Sequence, residues 1–219
     1  MKKMILWDYN GVIIDDARAC YEADLAVNLH FGGCGFTFQD WQKNCCIPGI
    51  DFYAKFGCSL EELRGRADEM GEVFHGVYEP LADQCGLRIG ARKALAFTQE
   101  NRIASVICSN HTVPEIYKQL HRFRIAECFA AVLGNTDKKT AHLSHTKFDR
   151  VREHLGTDWD PATIVIIGDT TEEVEKIGKV LGIITVAITG GYYHTERLVK
   201  SNPDHLISRV DQLISIVKE

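Results

Sequence analysis

The sequence predicts a doubly wound, Rossmann-like α/β domain with a mainly helical domain inserted into it. Short apolar runs alternate along the chain with segments of helical character, which is typical of parallel strands joined by helices. Polar residues directly follow several of these runs, as they do where the strands of such a sheet end at a ligand site. A third pattern, a long segment without any buried-strand run, indicates the insert.

Five apolar runs are predicted to be strands buried on both faces of the sheet. Each is short and rich in aliphatic or β-branched residues, and each ends in polar or turn-forming residues. In chain order, the predicted strands are Met4 to Trp7, Ile103 to Cys108, Ala130 to Leu133, Ile164 to Ile167 and Ile183 to Ile188. Parallel pairing with right-handed crossovers follows from the helices predicted between them.

Helical patterns occupy the segments around these runs. The predicted core helices are Arg92 to Glu100, Val113 to Arg122, Phe148 to Leu155 and Glu172 to Leu181. We assign residues 1–15 and 85–219 to the α/β core domain. Residues 16–84 are predicted to form a helical cap over the carboxyl ends of the strands. The cap has helical segments at Ala17 to Leu29 and Leu60 to Tyr78, and a glycine-, aromatic- and cysteine-rich stretch from Phe31 to Gly57.

Composition narrows the class of protein. The 219 residues include 25 basic and 30 acidic side chains, and this net charge of -5, without a basic cluster, argues against nucleic-acid binding. The apolar runs are far shorter than the roughly 20 residues that cross a bilayer. Asp8 and Asn10 interrupt the first run, so we predict no signal peptide and a cytoplasmic protein. The eight cysteines include no Cys-x-x-Cys pair and are expected to be thiols.

Three acidic residues are predicted to meet at one edge of the sheet. Asp8 follows the first apolar run, Asp169 follows the run that ends at Ile167, and Glu173 lies one turn into the next helix. Clustered carboxylates repel each other unless a cation neutralises them. Oxygen ligands in this number suit Mg²⁺, which also binds substrate phosphate.

These residues form a recognisable series of motifs. The first is the sequence from Asp8 to Asp15, the second ends in Ser109, the third is Lys147, and the fourth combines Gly168-Asp169 with Glu173. Together they resemble the motifs of the haloacid dehalogenase-like hydrolase superfamily over nearly the whole chain. The spacing of the first two motifs is similar to that of members with a helical cap, such as phosphoglycolate phosphatases and β-phosphoglucomutases.

The resemblance implies a reaction on a small phosphorylated metabolite. Asp8 would be the nucleophile and would form an aspartyl-phosphate. Mg²⁺ would be bound by the carboxylates of Asp8 and Asp169 and by the backbone carbonyl of Asn10, with Glu173 contributing directly or through water. We expect a monomer or homodimer.

The resemblance assigns the phosphate contacts to other positions. Ser109 and the neighbouring Asn110 would donate hydrogen bonds to the phosphoryl oxygens, and Gly11 would permit the turn that faces backbone N–H groups toward them. Lys147 would bridge Asp8 and the phosphate. Lys138 and Lys139 lie in the same loop and remain alternatives for the lysine; Lys147 is preferred because it opens a predicted helix.

Asn10 departs from the family pattern. The phosphatases carry Asp at this position, two residues after the nucleophile, where it trades protons with the leaving group and water. An amide cannot do so near neutral pH, and general acid–base catalysis is typically worth about 10²–10⁴-fold in rate. We therefore expect a slow or specialised phosphatase.

Other classes of activity remain open at this stage. Dehalogenases have an aromatic residue in place of Asn10 and lack the acidic fourth motif, so dehalogenation is disfavoured. A phosphonoacetaldehyde-hydrolase-like C–P bond hydrolase would need a cap lysine, for which Lys43 and Lys55 are candidates. A binding or regulatory protein without turnover is a further alternative. His111, close to Ser109, is an additional candidate for the cleft.

Overall fold

The structure, a computed structural model, describes residues 2–47, 49–136 and 146–219. Six strands in these ranges form one parallel sheet in the order β3-β2-β1-β4-β5-β6. The strands are β1 (Met4–Trp7), β2 (Ala104–Thr112), β3 (Ala131–Asn135), β4 (Ile164–Gly168), β5 (Ile184–Ile188) and β6 (His205–Ile207). The predicted doubly wound α/β fold is confirmed, with β1 in the interior of the sheet.

Helices connect the strands and build the inserted segment. The α-helices are α1 (Ala17–His30), α2 (Phe38–Asn44), α3 (Ile50–Lys55), α4 (Leu60–Gly65), α5 (Ala67–Ala82), α6 (Ala91–Glu100), α7 (Val113–Phe123), α8 (Lys147–Leu155), α9 (Lys179–Leu181), α10 (Thr195–Lys200) and α11 (Leu213–Lys218). A π-helix occupies Glu172–Gly178, and single 3₁₀ turns occupy Ala126–Cys128, Pro161–Thr163 and Val210–Gln212.

The register of the central strands aligns their carboxyl ends. Trp7, the last residue of β1, pairs with Ile107 of β2 and with Ile167 of β4. The backbone N–H of Asp8 continues this ladder by donating to the carbonyl oxygen of Ile167 at 2.9 Å. Polar residues that follow these three positions therefore lie at one edge of the sheet.

An apolar layer fixes one face of the sheet. Leu6, Val106 and Ile166 are buried against Val151 of α8 and Ile177 of the π-helix. These strands are buried on both faces, which explains their continuous rather than alternating apolar pattern. The packing holds α8 and the π-helix against the sheet.

Three elements of the α/β core differ from their predicted form, and in the cap the predicted segment Leu60 to Tyr78 is divided into α4 and α5. The apolar run of β2 ends at Cys108, but the strand continues to Thr112, because polar residues resume pairing with β3 after a register shift. The predicted Glu172–Leu181 helix is a π-helix in its first seven residues. The short edge strand β6 was not predicted, since three residues carry too little periodicity.

The chain divides into two compact units. One consists of Met1–Asp15 with Leu87–Glu219, and the other consists of Asp16–Gly86. The sequence placed the second boundary after residue 84. Among the described residues, we find no helix with the length and apolarity needed to span a membrane. All eight cysteines are described, and none forms a disulfide.

A half-buried carboxylate organises the Asp16–Gly86 unit. Asp24 of α1 accepts hydrogen bonds from Trp41 Nε1 and Tyr53 Oη, each at 2.6 Å, and a long one from Cys20 Sγ at 3.9 Å. It thereby joins α1 to α2 and α3. Burial raises the pKa of Asp24 to about 6, although these donors oppose the shift.

Asp24 should make the stability of this unit depend on pH. Because the pKa of Asp24 is raised on folding, the folded protein binds this proton more tightly than the unfolded chain does. The proton therefore contributes to the free energy of unfolding at low pH, and the contribution is lost as pH rises from the unfolded pKa to about 6. We expect Asp24→Asn to reduce the loss of stability between about pH 5 and pH 7 by about 1 kcal/mol. Denaturant unfolding at several pH values measures it. The exposed Asp51→Asn is the control, and equal pH slopes for wild type and Asp24→Asn would contradict the assignment.

Candidate active site

Four predicted site residues are buried at the carboxyl edge of the sheet. Asp8 follows β1, Asp169 follows β4, Glu173 lies in the π-helix, and Lys147 begins α8. Each side chain belongs to a residue no more than 5% exposed. Charged side chains that are this deeply buried require partners of opposite charge or hydrogen bonds. The contacts among these four side chains therefore show how their charges are compensated.

Lys147 lies at the centre of this group. Its Nζ is 2.5 Å from Glu173 Oε1, 3.1 Å from Asp8 Oδ1 and 3.6 Å from Glu172 Oε2. A capping box fixes the start of α8, because Thr146 accepts from the backbone N–H of Asp149 and Asp149 accepts from that of Thr146. The first residue of α8 is thus held where its side chain reaches the carboxylates.

The pKa values of these residues reflect their competition for one cation. Burial alone disfavours the charge of Lys147, but the carboxylates of Asp8, Glu173 and Glu172 raise its pKa well above the usual value. Burial raises the pKa of Asp8 well above its usual value, although Lys147 opposes this shift. The pKa of Glu173 is lowered despite burial, since Lys147 lies closer to it than to Asp8.

Glu173 has protein partners on both carboxylate oxygens. Oε1 contacts Lys147, and Oε2 accepts a hydrogen bond from Thr170 Oγ1 at 2.7 Å. Thr170 Oγ1 in turn accepts from the backbone N–H of Glu172 at 3.1 Å. Both oxygens of Glu173 are thus engaged by protein groups, one of which is Lys147, and its predicted contribution to the metal site, directly or through water, stays a prediction.

Asp169 is enclosed by two glycines. A Cβ atom added to Gly11 would lie 1.8 Å from Asp169 Oδ2, and one added to Gly191 would lie 2.0 Å from it. Gly11 also has a φ of 70°, which favours glycine. Asp169 Oδ2 accepts from the backbone N–H of Tyr192 at 2.7 Å. Gly11 therefore gives the Asp169 carboxylate space beside the loop that follows Asp8.

Ser109 and Asn10 are in direct contact. Ser109 Oγ donates to Asn10 Oδ1 at 3.2 Å and accepts from the backbone N–H of His111 at 3.0 Å. His111, predicted as a possible cleft residue, thus contributes its backbone to the orientation of Ser109. The contact also orients the amide of Asn10 toward Ser109.

The side chain of Asn110 is hydrogen-bonded to two other side chains of the protein. Its Nδ2 donates to Glu172 Oε2 at 2.9 Å, and its Oδ1 accepts from Arg150 Nη2 at 3.2 Å. A predicted phosphate contact from Asn110 is therefore better assigned to its backbone N–H than to its side chain.

The carboxylates at this edge of the sheet fit a Mg²⁺ ion that has few protein ligands. In the ranges that the structure describes, no three His, Cys, Asp or Glu side chains are arranged to hold a metal ion. Mg²⁺ commonly uses one or two carboxylates and retains several waters, and Asp8 with Asp169 supplies that number. After burial, the neighbouring carboxylates of Glu173 and Asp169 also raise the pKa of Asp8, and a divalent ion beside Asp8 and Asp169 would relieve this repulsion.

The other candidate lysines differ in whether the structure describes them. Lys138 and Lys139 lie outside the described residues, so the structure does not place them. Lys43 and Lys55 are exposed in the Asp16–Gly86 unit. Lys147 is the lysine that the structure brings to Asp8.

Several site residues escaped the sequence analysis. Glu172, Thr170, Arg150, Asn135 and Tyr192 each contact a predicted site residue. A polar residue beside Glu173 or one turn after Lys147 is a weak signal that would have suggested Glu172 and Arg150. Backbone contacts such as that of Tyr192 leave no signal in side-chain chemistry.

A comparison with protein families identifies the chain. A model of the haloacid dehalogenase-like hydrolases matches residues 2–182. The chain belongs to this family. The matched range contains every predicted site residue, and the resemblance inferred from the motifs is confirmed.

Individual relatives share part of the sequence or the fold of this chain. A phosphoglycolate phosphatase from Synechococcus elongatus is 36% identical over 61 residues, which span only 28% of each chain. A predicted phosphatase from Clostridium acetobutylicum has a TM-score of 0.79 at 17% identity, with 100% of both chains covered. A predicted phosphoglycolate phosphatase from Haemophilus somnus has a TM-score of 0.74 at 16% identity, with 98% and 97% covered. At these identities the solved structures establish the shared fold.

Lys147 forms a buried ion group with Asp8, Glu172 and Glu173. We expect mutations within this ion group to have non-additive effects on stability. Lys147→Met should lower the free energy of unfolding by ~3–5 kcal/mol, because it leaves buried carboxylates without their cation. Adding Glu173→Gln should recover at least about 1 kcal/mol of that loss. Denaturant unfolding of the two single variants and the double variant measures the coupling. The exposed Lys93→Met is the control, and strictly additive effects would contradict the role of Lys147.

Proposed function

We propose that this hydrolase is a Mg²⁺-dependent phosphatase that acts on a small phosphorylated metabolite through an aspartyl-phosphate on Asp8. The contact that carries this proposal is the 3.1 Å ion pair between Lys147 Nζ and Asp8 Oδ1. The backbone N–H of Tyr9 also donates to Oδ1, at 2.8 Å. Both contacts orient the carboxylate through one oxygen, and Oδ2 takes part in neither.

The reaction then has two displacements. Asp8 Oδ2 attacks phosphorus, and the bond from phosphorus to the leaving oxygen breaks with its electron pair on that oxygen. Water next attacks the phosphorus of the aspartyl-phosphate, which releases inorganic phosphate and regenerates Asp8. Lys147 offsets the negative charge of the attacking carboxylate and of the phosphoryl group.

Metal binding is assigned to Asp8, Asp169 and the backbone carbonyl of Asn10. A bound Mg²⁺ would shield the anionic phosphate from the carboxylates and orient its oxygens. Gly11 leaves room for the Asp169 carboxylate, and the N–H of Tyr192 fixes one of its oxygens. Glu173 acts on this site through Lys147.

Asn10 directs the enzyme toward particular leaving groups. Its amide oxygen accepts from Ser109 Oγ, and a carboxamide does not act as an acid near neutral pH. The paired Lys147 has a raised pKa, so it is a poor proton donor as well. Substrates whose leaving oxygen is stable without a proton, such as acyl or aryl phosphates, should therefore react faster than alkyl phosphates.

The relatives suggest where to search for the substrate. One of them is named a phosphoglycolate phosphatase, and phosphoglycolate is a small anionic alkyl phosphate. We include it in the substrate panel as the first natural candidate. A cytoplasmic location and a monomeric or homodimeric state remain predictions from the sequence.

Two other functions receive less support. C–P bond hydrolysis through a Schiff base needs a desolvated lysine, whereas Lys43 and Lys55 are exposed. A binding or regulatory protein without turnover would fit the loss of the acid at Asn10. It would not by itself account for a buried Lys147 held on Asp8.

Restoring the acid tests the proposal. Asn10→Asp should raise kcat/KM for alkyl phosphates by about 10²–10⁴-fold, because a carboxyl group can again protonate the leaving oxygen. The gain for p-nitrophenyl phosphate should be much smaller, since its leaving group needs little help. Steady-state kinetics of the wild type and of Asn10→Asp, with substrates whose leaving groups differ in acidity, measure this difference.

Asp8→Asn in the same assay is the inactive control. Absence of turnover in both wild type and Asn10→Asp would contradict the phosphatase and favour a binding protein. Equal gains for every leaving group would contradict the assignment of Asn10.

Metal binding can be tested without turnover. Mg²⁺ should raise the melting temperature of the wild type, because an ion that binds only the folded state stabilises it. Asp169→Asn should largely abolish this shift. The exposed Asp158→Asn is a matched control that should retain it. An unchanged shift in Asp169→Asn would contradict metal binding at Asp169.

A further inference from the structure

Arg150 reaches from α8 to the ends of two strands. It lies one helical turn after Lys147 and is half-buried. Its Nη2 donates to the carbonyl oxygen of Ser109 at 2.8 Å and to Asn110 Oδ1 at 3.2 Å. Its Nη1 donates to Asn135 Oδ1 at 3.0 Å. One planar guanidinium thus contacts the end of β2 and the last residue of β3.

Asn135 completes this connection. It is buried, and its Nδ2 donates to the carbonyl oxygen of Asn110 at 2.5 Å. The side chain of Asn110 is held at its other end by Glu172, whose Oε2 lies 3.6 Å from Lys147 Nζ. The end of β2 is therefore tied to the ion group around Lys147 through side chains on four elements.

These bonds determine where the backbone N–H groups point. A trans peptide group is planar, so its C=O and N–H point in opposite directions. Arg150 holds the Ser109 carbonyl, which directs the N–H of Asn110 away from the guanidinium. Asn135 holds the Asn110 carbonyl, and the N–H of His111 accordingly points to Ser109 Oγ at 3.0 Å. The orientation of the Ser109 hydroxyl depends on this second peptide.

We propose that Arg150 is a positioning residue that, together with Asn135, orients the Ser109 hydroxyl and the Asn110 N–H for binding the phosphoryl group. This inference rests on the proposed phosphatase function. It assigns Arg150 no contact with the substrate. Its effect is transmitted through the peptide groups of Ser109 and Asn110.

The role requires the shape of arginine as well as its charge. A guanidinium presents several N–H donors in a rigid plane, whereas a lysine ammonium is a compact point charge on a flexible chain. Arg150→Lys keeps the charge and loses the fork that joins Ser109 to Asn135. Small displacements of groups that bind a transition state can reduce rates by about 10²-fold.

The test compares Arg150→Lys and Asn135→Ala with Arg152→Lys, a conservative change of an exposed arginine on the same helix. We expect Arg150→Lys and Asn135→Ala to lower kcat/KM for aryl phosphates about 10–100-fold. Both should weaken binding of inorganic phosphate, measured by calorimetry, while melting temperatures confirm that the variants are folded. Arg152→Lys should match the wild type in rate and affinity.

The two readouts separate the proposals. A wild type that binds phosphate but hydrolyses no ester contradicts the proposed function, and the affinities of the variants still test Arg150. Phosphate affinity and kcat/KM within about twofold of wild type in Arg150→Lys would overturn the positioning role. If Arg150→Lys does not fold, Asn135→Ala decides the question, because it removes the same constraint and retains the arginine. A wild type that neither binds phosphate nor turns over contradicts both proposals.

Discussion

The buried ion group around Lys147 is the constraint on which the site depends. A lysine and several carboxylates with almost no exposure are compatible with a folded protein only if they compensate each other. Glu173, at 2.5 Å, takes the larger share of the lysine charge, and Asp8, at 3.1 Å, takes less. Asp8 is thereby held in place by the longer of these two ion pairs. This arrangement supports the proposed role of Asp8 as the nucleophile, because a tightly paired carboxylate is a poor attacking group.

The fold supplies the geometry of this group with few residues. Aligned ends of β1, β2 and β4 bring Asp8, Ser109 and Asp169 to one edge, and packing beneath them holds α8 and the π-helix. The start of α8 then places Lys147, and the π-helix places Glu173. π-helical turns are frequent at functional sites. The Asp16–Gly86 unit is organised by a different carboxylate, the half-buried Asp24.

Side-chain chemistry with fixed spacing was predictable, whereas the connections between strands were not. Asp8 and Lys147 carry motif signals, and the structure brings them into contact. The strand continuation past Cys108 depends on pairing with β3, which a run of polar residues does not reveal. Arg150 and Asn135 lie 15 residues apart along the chain, and they are brought together by the assembled sheet, through the register of β2 and β3. The orientation of a peptide group is likewise a property of the assembled sheet.

The central claim is that Asp8 becomes phosphorylated, and peptide mass mapping tests it most directly. The protein is mixed with a reactive acyl or aryl phosphate, quenched in acid at early times and digested. Because Asn10 cannot activate water, the intermediate should accumulate, and the peptide that contains Asp8 should carry one added phosphoryl group. The Asp8→Asn variant should carry none. Turnover without this adduct, an adduct on another residue, or neither turnover nor adduct would contradict the account.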